Sequence, residues 1–362
     1  MAQIVLTPPE ADHIEISVFG PGYGECIVIH LGGGDWLIND SCVDSTGRPV
    51  ALSYLRKLGV DPGQVKLVVA SHWHDDHVRG LSKVVAECTD ARFICSGALG
   101  SEIFLQLVAA AERDPTSLRS GASEFRRIIT MINARGGDSF RLAGADQLIW
   151  QNAVTKVRVH ALSPSAASLT ASYAEIAKLV DEVATNRIRI AAHSPNASSV
   201  VVWVDIADTR ILLGGDLENH SDFRRGWESI IRSDTRPPGR AEVYKVAHHG
   251  SRTAHNEAIW SGLLDSEVAS VITPWRRGGN HLPDPEILKN VIDLSARTSI
   301  TAREIPTQMK RSRLVTEEVS KATRSMRRLE AGTGQVQLRK AIHGDCWTMC
   351  STSDAETYNR PG

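Results

Sequence analysis

The sequence has almost no charge of one sign to spare: 41 Lys and Arg face 42 Asp and Glu, a formal charge of -1. No global basic field therefore marks the chain as a nucleic-acid binder, and any such binding has to come from a local patch. Long hydrophobic runs are also missing. Nothing approaches the roughly 18 uncharged apolar residues that a membrane helix needs, so no membrane partner is expected. The first ten residues, MAQIVLTPPE, have no basic start and no apolar stretch, which is not the pattern of a secretory signal. These absences predict a soluble, cytoplasmic protein. Cysteine is sparse, with six residues at 26, 42, 88, 95, 346 and 350. In a chain of 362 residues that reads as reduced, mostly buried thiols rather than a disulfide framework, although Cys346 and Cys350 are spaced to share a helix face or to pair. There is no internal repeat and no low-complexity tract.

What is present is enough apolar material, 42% of residues, for a large core. Strand patterns come first. Residues 14–19 alternate, Gly20 to Gly24 break the run, and residues 26–31 and 36–38 form two strands around Gly32-Gly33-Gly34. A helix is expected over 51–58, and the β-branched run 65–70 reads as a buried strand. Apolar residues recur at helical spacing between 98 and 135, from Leu105 to Ile132, which predicts a helical insertion reaching to about 145. Strands follow at 154–162, 199–204 and 209–213, with a turn at Asp208 between the last two, and then at 243–247 and 268–273. A helix lies at 172–184. This order fits an α/β architecture in which two mixed sheets pack face to face with helices outside, an αββα sandwich. One unit is expected over 1–305. Over 306–362 an amphipathic helix, basic from Lys310 to Arg328, precedes a short strand at 336–340 and a frayed tail.

The densest chemical signal is Ser71-His72-Trp73-His74-Asp75-Asp76-His77, directly after the buried strand. Imidazole and carboxylate are ligands that suit zinc and its neighbours. In an extended segment His72 and His74 point the same way and can converge on one ion, while Asp76 and His77 begin the next turn and can face a second. This H-x-H-x-D-H run resembles the signature of the metallo-β-lactamase superfamily. Two further motifs follow in the family's order. Gly214-Gly215-Asp216 resembles its strand-end "GD", and Lys245-Val246-Ala247-His248-His249-Gly250-Ser251 resembles its "K-V-x-H-H-G-S" run. The latter, with Gly22-Tyr23-Gly24-Glu25 and Trp36-Leu37-Ile38-Asn39-Asp40, is most similar to the soluble hydrolase domain of the competence protein ComEC and its stand-alone bacterial relatives. The resemblance spans about 12–300.

The resemblance implies roles position by position. His72 and His74 would bind the first metal, Asp76 and His77 the second, and Asp216 would bridge them. Of the adjacent pair, His248 is taken as the second metal's last ligand, with His249 on the substrate side or supporting a ligand. Asp40 would orient a ligand histidine. The family's third ligand to the first metal is a histidine between the first two motifs. His193 stands in the right place, with His160 as the alternative, but ComEC-like members often carry an asparagine-serine pattern there and this chain has both. His281, in a loop resembling a G-H-P segment, would touch a leaving group or phosphate if it is more than a loop histidine. His13, His30, His220, His255 and His343 are expected to be surface or core residues.

Two divalent cations, zinc or alternatively manganese, would share one water and bring its pKa towards about 7, so the bridging hydroxide would be the nucleophile, with Asp76, Asp216, His249 and His281 as catalytic residues. A Ser251 nucleophile lacks its own base and orienting group. The substrate is expected to be a phosphodiester, in a nucleotide or nucleic acid, on the ComEC-like motifs and the basic patches at Arg276-Arg277 and 310–328. The alternatives are an acyl, thioester, lactam or lactone hydrolase, or a metal-bearing component of a multi-protein bacterial defence-type system with a protein partner.

Overall fold

Alternating apolar residues set the layers. The computed structural model describes residues 3–20, 23–100, 104, 121–184, 195–277, 280–303 and 333–361. Its strands, numbered in chain order, form two eight-stranded sheets and one hairpin. The first sheet contains β1 (His13–Phe19), β2 (Cys26–His30), β3 (Trp36–Asn39), β4 (Val65–Ala70), β5 (Arg92–Ser96), β6 (Phe140–Ala143), β16 (Gln335–Ala341) and β17 (Thr348–Ser351), in the order β17-β16-β1-β2-β3-β4-β5-β6. The second contains β7 (Gln147–Asn152), β8 (Val157–Ala161), β9 (Val202–Ile206), β10 (Thr209–Leu213), β11 (Ala241–Lys245), β12 (Leu264–Ile272), β15 (Arg297–Ile300) and β18 (Glu356–Asn359), in the order β18-β15-β12-β11-β10-β9-β8-β7. β13 (Trp275–Arg277) and β14 (Asn280–Leu282) make the hairpin.

Each sheet buries both faces. In β4, Leu67 and Val69 join the core between the sheets while Val68 and Ala70 face an outer apolar layer. In β10, Ile211 and Leu213 point inward and Leu212 outward. The outer layer of the first sheet is closed by α1 (Val50–Leu58), α2 (Asp75–Val78), α3 (Leu81–Glu87), α4 (Gly121–Arg135) and α5 (Ala166–Ala184). That of the second is closed by α6 (Gly226–Ile231), α7 (Glu257–Gly262) and α8 (Pro285–Leu294). The result is the expected αββα sandwich of two mixed sheets.

Three expectations need correction. The segment 98–145 is not helical throughout: α4 is a helix, but Phe140–Ala143 is β6, paired in parallel with β5. Only Ala143 of β6 is buried, so the strand carries no alternation to read. The C-terminal tail is not frayed, because Glu356–Asn359 pairs antiparallel with Arg297–Ile300 as β18. Cys346 and Cys350 share no helix, since Cys350 lies in β17, and both are free thiols. The basic segment 310–328 lies outside the described residues. Among the described residues no helix is long and apolar enough to cross a membrane.

Candidate metal centre

Parallel strands place the site. β3, β4 and β5 run parallel in the first sheet, and β10, β11 and β12 in the second. Side chains for chemistry collect beyond the carboxyl ends of parallel strands, where loops leave the sheet and backbone groups are unpaired. Asp40 follows β3, the His72–His77 run follows β4, Asp216 follows β10 and His248-His249 follow β11. Gly215 permits the approach of these loops. Its φ is +51°, and a Cβ there would lie 2.6 Å from Ser199 Oγ and 3.1 Å from the Val200 carbonyl oxygen.

Asp216 stands between two groups of ligand atoms. Its Oδ1 lies 3.3 Å from His77 Nε2 and 3.8 Å from His249 Nε2. His249 Nε2 is 3.4 Å from His77 Nε2 and 3.5 Å from Asp76 Oδ2, and His77 Nε2 is 3.9 Å from Asp76 Oδ2. Ligand atoms arranged tetrahedrally at zinc–nitrogen and zinc–oxygen bond lengths lie about 3.4 Å apart, so the His77, His249 and Asp216 atoms have the spacing of one cation's shell, with Asp76 beside both imidazoles. Asp216 Oδ1 is buried without a hydrogen-bond partner, as an atom awaiting a cation would be. The other carboxylate oxygen, Oδ2, lies 3.7 Å from His72 Nε2, which is 3.0 Å from His74 Nδ1. His72, His74 and Asp216 thus form a second group able to hold an ion.

The adjacent histidines divide differently from the expectation. His249 joins His77, Asp216 and Asp76, the place given to His248 on the sequence. His248 turns to the Oδ2 side, with Nε2 3.9 Å from Asp216 Oδ2 and 3.4 Å from Asn196 Nδ2, and Nδ1 2.9 Å from Glu218 Oε1. Both residues occupy the left-handed region, at φ 45° and 55°. Two consecutive non-glycine residues there cost on the order of 1–3 kcal/mol each, and such strain clusters at functional sites. The coil throws successive imidazoles to opposite sides of Asp216, which sequence spacing alone does not reveal.

A family model for the metallo-beta-lactamase superfamily matches residues 19–259, well over half of the chain and containing every ligand group above. The chain belongs to the metallo-beta-lactamase superfamily. No curated protein matches it. Among solved structures it is similar to the metallo-beta-lactamase fold protein YhfI from Bacillus subtilis, at 11% identity over 81% of this chain and 97% of that one, with a TM-score of 0.41. It is also similar to a metallo-beta-lactamase from Cronobacter sakazakii, at 14% identity over 63% and 75% of the two chains, with a TM-score of 0.33. A B3 metallo-beta-lactamase with an active-site glutamic acid gives 16%, 61%, 67% and 0.30. Superposition at that level adds no argument, so membership rests on the family model.

In this metallo-beta-lactamase superfamily chain the candidate ligands are held from behind. Asp40, at φ +59°, accepts hydrogen bonds from Ser71 N and Ser71 Oγ, both 2.7 Å, and lies 2.9 Å from His77 Nδ1. His249 Nδ1 is 3.0 Å from the Thr273 carbonyl oxygen. Both rings are thereby turned so that Nε2 faces Asp216. Behind them lies Glu25, fully buried and paired with the buried Lys245 at 2.6 Å. Sequence reasoning missed Glu25 and Glu218 as the carboxylates that stand beside these histidines. The signal available was Lys245 itself, because a lysine inside an apolar strand requires a buried counter-charge.

The electrostatics suit cations. Burial opposes ionisation of Asp216, but the imidazoles of His77, His249 and His248 outweigh it and hold the carboxyl well below the usual carboxylate range. Burial likewise disfavours charge on His77, yet Asp216, Glu25 and Asp40 raise its imidazole well above the ordinary value. Burial, reinforced by His77, holds His72 well below it, in the neutral form that binds metal. The carboxylates thus draw positive charge to the centre, which a divalent cation could supply in place of a proton.

The remaining expected residues lie elsewhere. His193 is outside the described residues. His160 sits in β8 opposite Trp203 and joins neither ligand group. His281 is exposed on β14 opposite Arg276 and is also in neither group. Arg276 donates to the carbonyl oxygens of Ala302, at 3.0 Å, and Arg303, so its guanidinium is engaged with backbone.

Proposed function

We propose that this hydrolase uses two divalent cations, zinc by the character of its ligands, to cleave phosphodiester bonds in a nucleotide or nucleic acid, as the ComEC-like motifs suggest. The observation that carries the two-cation reading is Asp216, which offers one carboxylate oxygen to each ligand group. His72 and His74 would hold the first cation, Asp76, His77 and His249 the second, and Asp216 would serve both. Bound there, such cations would supply an activated water at neutral pH and charge to neutralise the substrate oxygens.

His248 favours the phosphodiester reading over a thioester. Glu218 fixes its Nδ1, leaving Nε2 directed to the Oδ2 side of Asp216. It is partly exposed, unlike His249. An imidazole oriented by a carboxylate beside the cations can deliver a proton to a leaving oxygen. An alkoxide needs that proton, as does the amine that leaves from a lactam, whereas a thiolate leaves readily without one, so the imidazole argues against a thioester and the lactam is left to the assay. The test is a substrate panel of bis-p-nitrophenyl phosphate, single-stranded DNA, a thioester and a lactam, each with zinc, with manganese and with chelator. Metal-dependent cleavage of the phosphodiesters is expected. Turnover of the lactam or thioester alone would overturn the substrate assignment and leave the metal centre standing.

A further inference from the structure

One carboxylate stands behind two metal ligands at once. Glu25 and Lys245 are 0% and 1% exposed. Glu25 Oε2 accepts from Lys245 Nζ and from Thr273 Oγ1, each at 2.6 Å, and lies 3.5 Å from His249 Nδ1. Its Oε1 is buried with no hydrogen-bond partner and lies 3.7 Å from His77 Nδ1. Both oxygens are therefore on the Nδ1 side of the two rings, while the Nε2 atoms face Asp216. Although Glu25 is close enough to His77, His249 and Asp216 to be counted with them as a ligand group, it acts from behind. Its backbone N–H also donates to the Asp76 carbonyl oxygen at 2.9 Å, pinning the ligand loop. At Gly24, φ is +100° and a Cβ would lie 3.1 Å from that same carbonyl oxygen, so the chain can approach this closely only with glycine there.

We propose that Glu25 and Lys245 are positioning residues that set the cation affinity of the Asp76–His77–His249–Asp216 position, acting through the two imidazoles. The proposal rests on the two-cation reading. The Nδ1 groups of His77 and His249 already go to Asp40 and the Thr273 carbonyl, so Glu25 acts on the two imidazoles through space, by the charge of a buried carboxylate on their far side. Groups behind metal ligands typically change metal affinity by about 10–100-fold. Here Glu25 serves two ligands, and Lys245 moderates its charge. The two residues therefore pull in opposite directions. Removing the carboxylate leaves an ammonium that keeps its bond to the Val246 carbonyl oxygen but has lost its counter-charge near the cation, and weakens binding. Removing the ammonium leaves a carboxylate that either attracts the cation more strongly or takes up a proton, and in neither form does it repel the cation. A pair that only tied the sheets together would give both substitutions the same sign.

The experiment measures zinc affinity and stoichiometry by competition with a chromophoric chelator, and the visible spectrum of the cobalt-loaded protein, in wild type, Glu25→Gln, Lys245→Met and the double variant. Urea unfolding is followed in parallel. Wild type should take two cations. Glu25→Gln should weaken one of them by about 10–100-fold and change the cobalt spectrum. Lys245→Met should bind that cation at least as tightly as wild type, and the double variant should fall between. Lys245→Arg, which keeps the charge, should match wild type. If Lys245→Met does not fold, Glu25→Gln and Lys245→Arg decide between them. Two cations bound with unchanged affinity and spectrum in Glu25→Gln, or equal weakening in both single variants, would overturn the proposal. A wild type that takes up no second cation would overturn the site reading itself.

Discussion

His248 and His249 are neighbours in sequence but face different oxygens of Asp216, and the distinction is open to a direct test. His249→Ala removes one of the four atoms around the second position, so bound zinc should fall from two equivalents towards one. His248→Ala leaves those four atoms in place. It should keep both cations and lower turnover by about 10²–10⁴-fold, the usual contribution of a positioned proton donor. Elemental analysis of the two variants beside kinetics checks this, and loss of metal in His248→Ala with full metal in His249→Ala would restore the opposite assignment. At this scale the His72–His77 run is legible because its chemistry is local: four potential ligands lie within six residues after a buried strand. The division of labour between His248 and His249 is not, since it depends on two left-handed backbone conformations. Glu25 and Lys245 are equally hidden, being 220 positions apart and meeting only when the sheets close.

Elements were readable in proportion to their burial. β2, β3, β4, β9 and β10 are buried nearly throughout and stand out as apolar runs. β6, β7 and β18 show mostly half-buried residues, because each lies at a sheet edge, where one side has no neighbour and weak alternation suffices. β18 nonetheless covers the edge of β15, with Ser299 Oγ and Thr357 Oγ1 2.9 Å apart across the pair. Deleting residues 353–362 should therefore lower the urea midpoint and promote association through the uncovered β15 edge, while zinc content stays at the full-length value. The metal loops are attached to β4, β10 and β11, which the deletion leaves paired. Loss of zinc together with loss of stability would show that the edge strand supports the centre as well.

The whole molecule places its metal centre where two sheets end. His72, His74, Asp76 and His77 come from the first sheet, and Asp216, His248 and His249 from the second. A cation held by either group would therefore tie the sheets together at one mouth of the sandwich. Without cations the same mouth holds the buried carboxylates of Glu25, Asp40, Asp76 and Asp216 facing buried imidazoles, an arrangement that hydration would relax by separating the loops. A ligand that binds only the folded state adds stability by mass action, so chelation should lower Tm, and excess zinc should raise it in a concentration-dependent way. The location of the loosening is the sharper expectation. Hydrogen exchange should quicken on chelation at 71–78, 214–218 and 246–250. It should stay unchanged in β1 and β16, whose antiparallel pairing is made within the first sheet alone. Uniform quickening across both sheets would mean that the cations support the whole fold, and no change at the three loops would mean that the sheets hold the centre in shape without them.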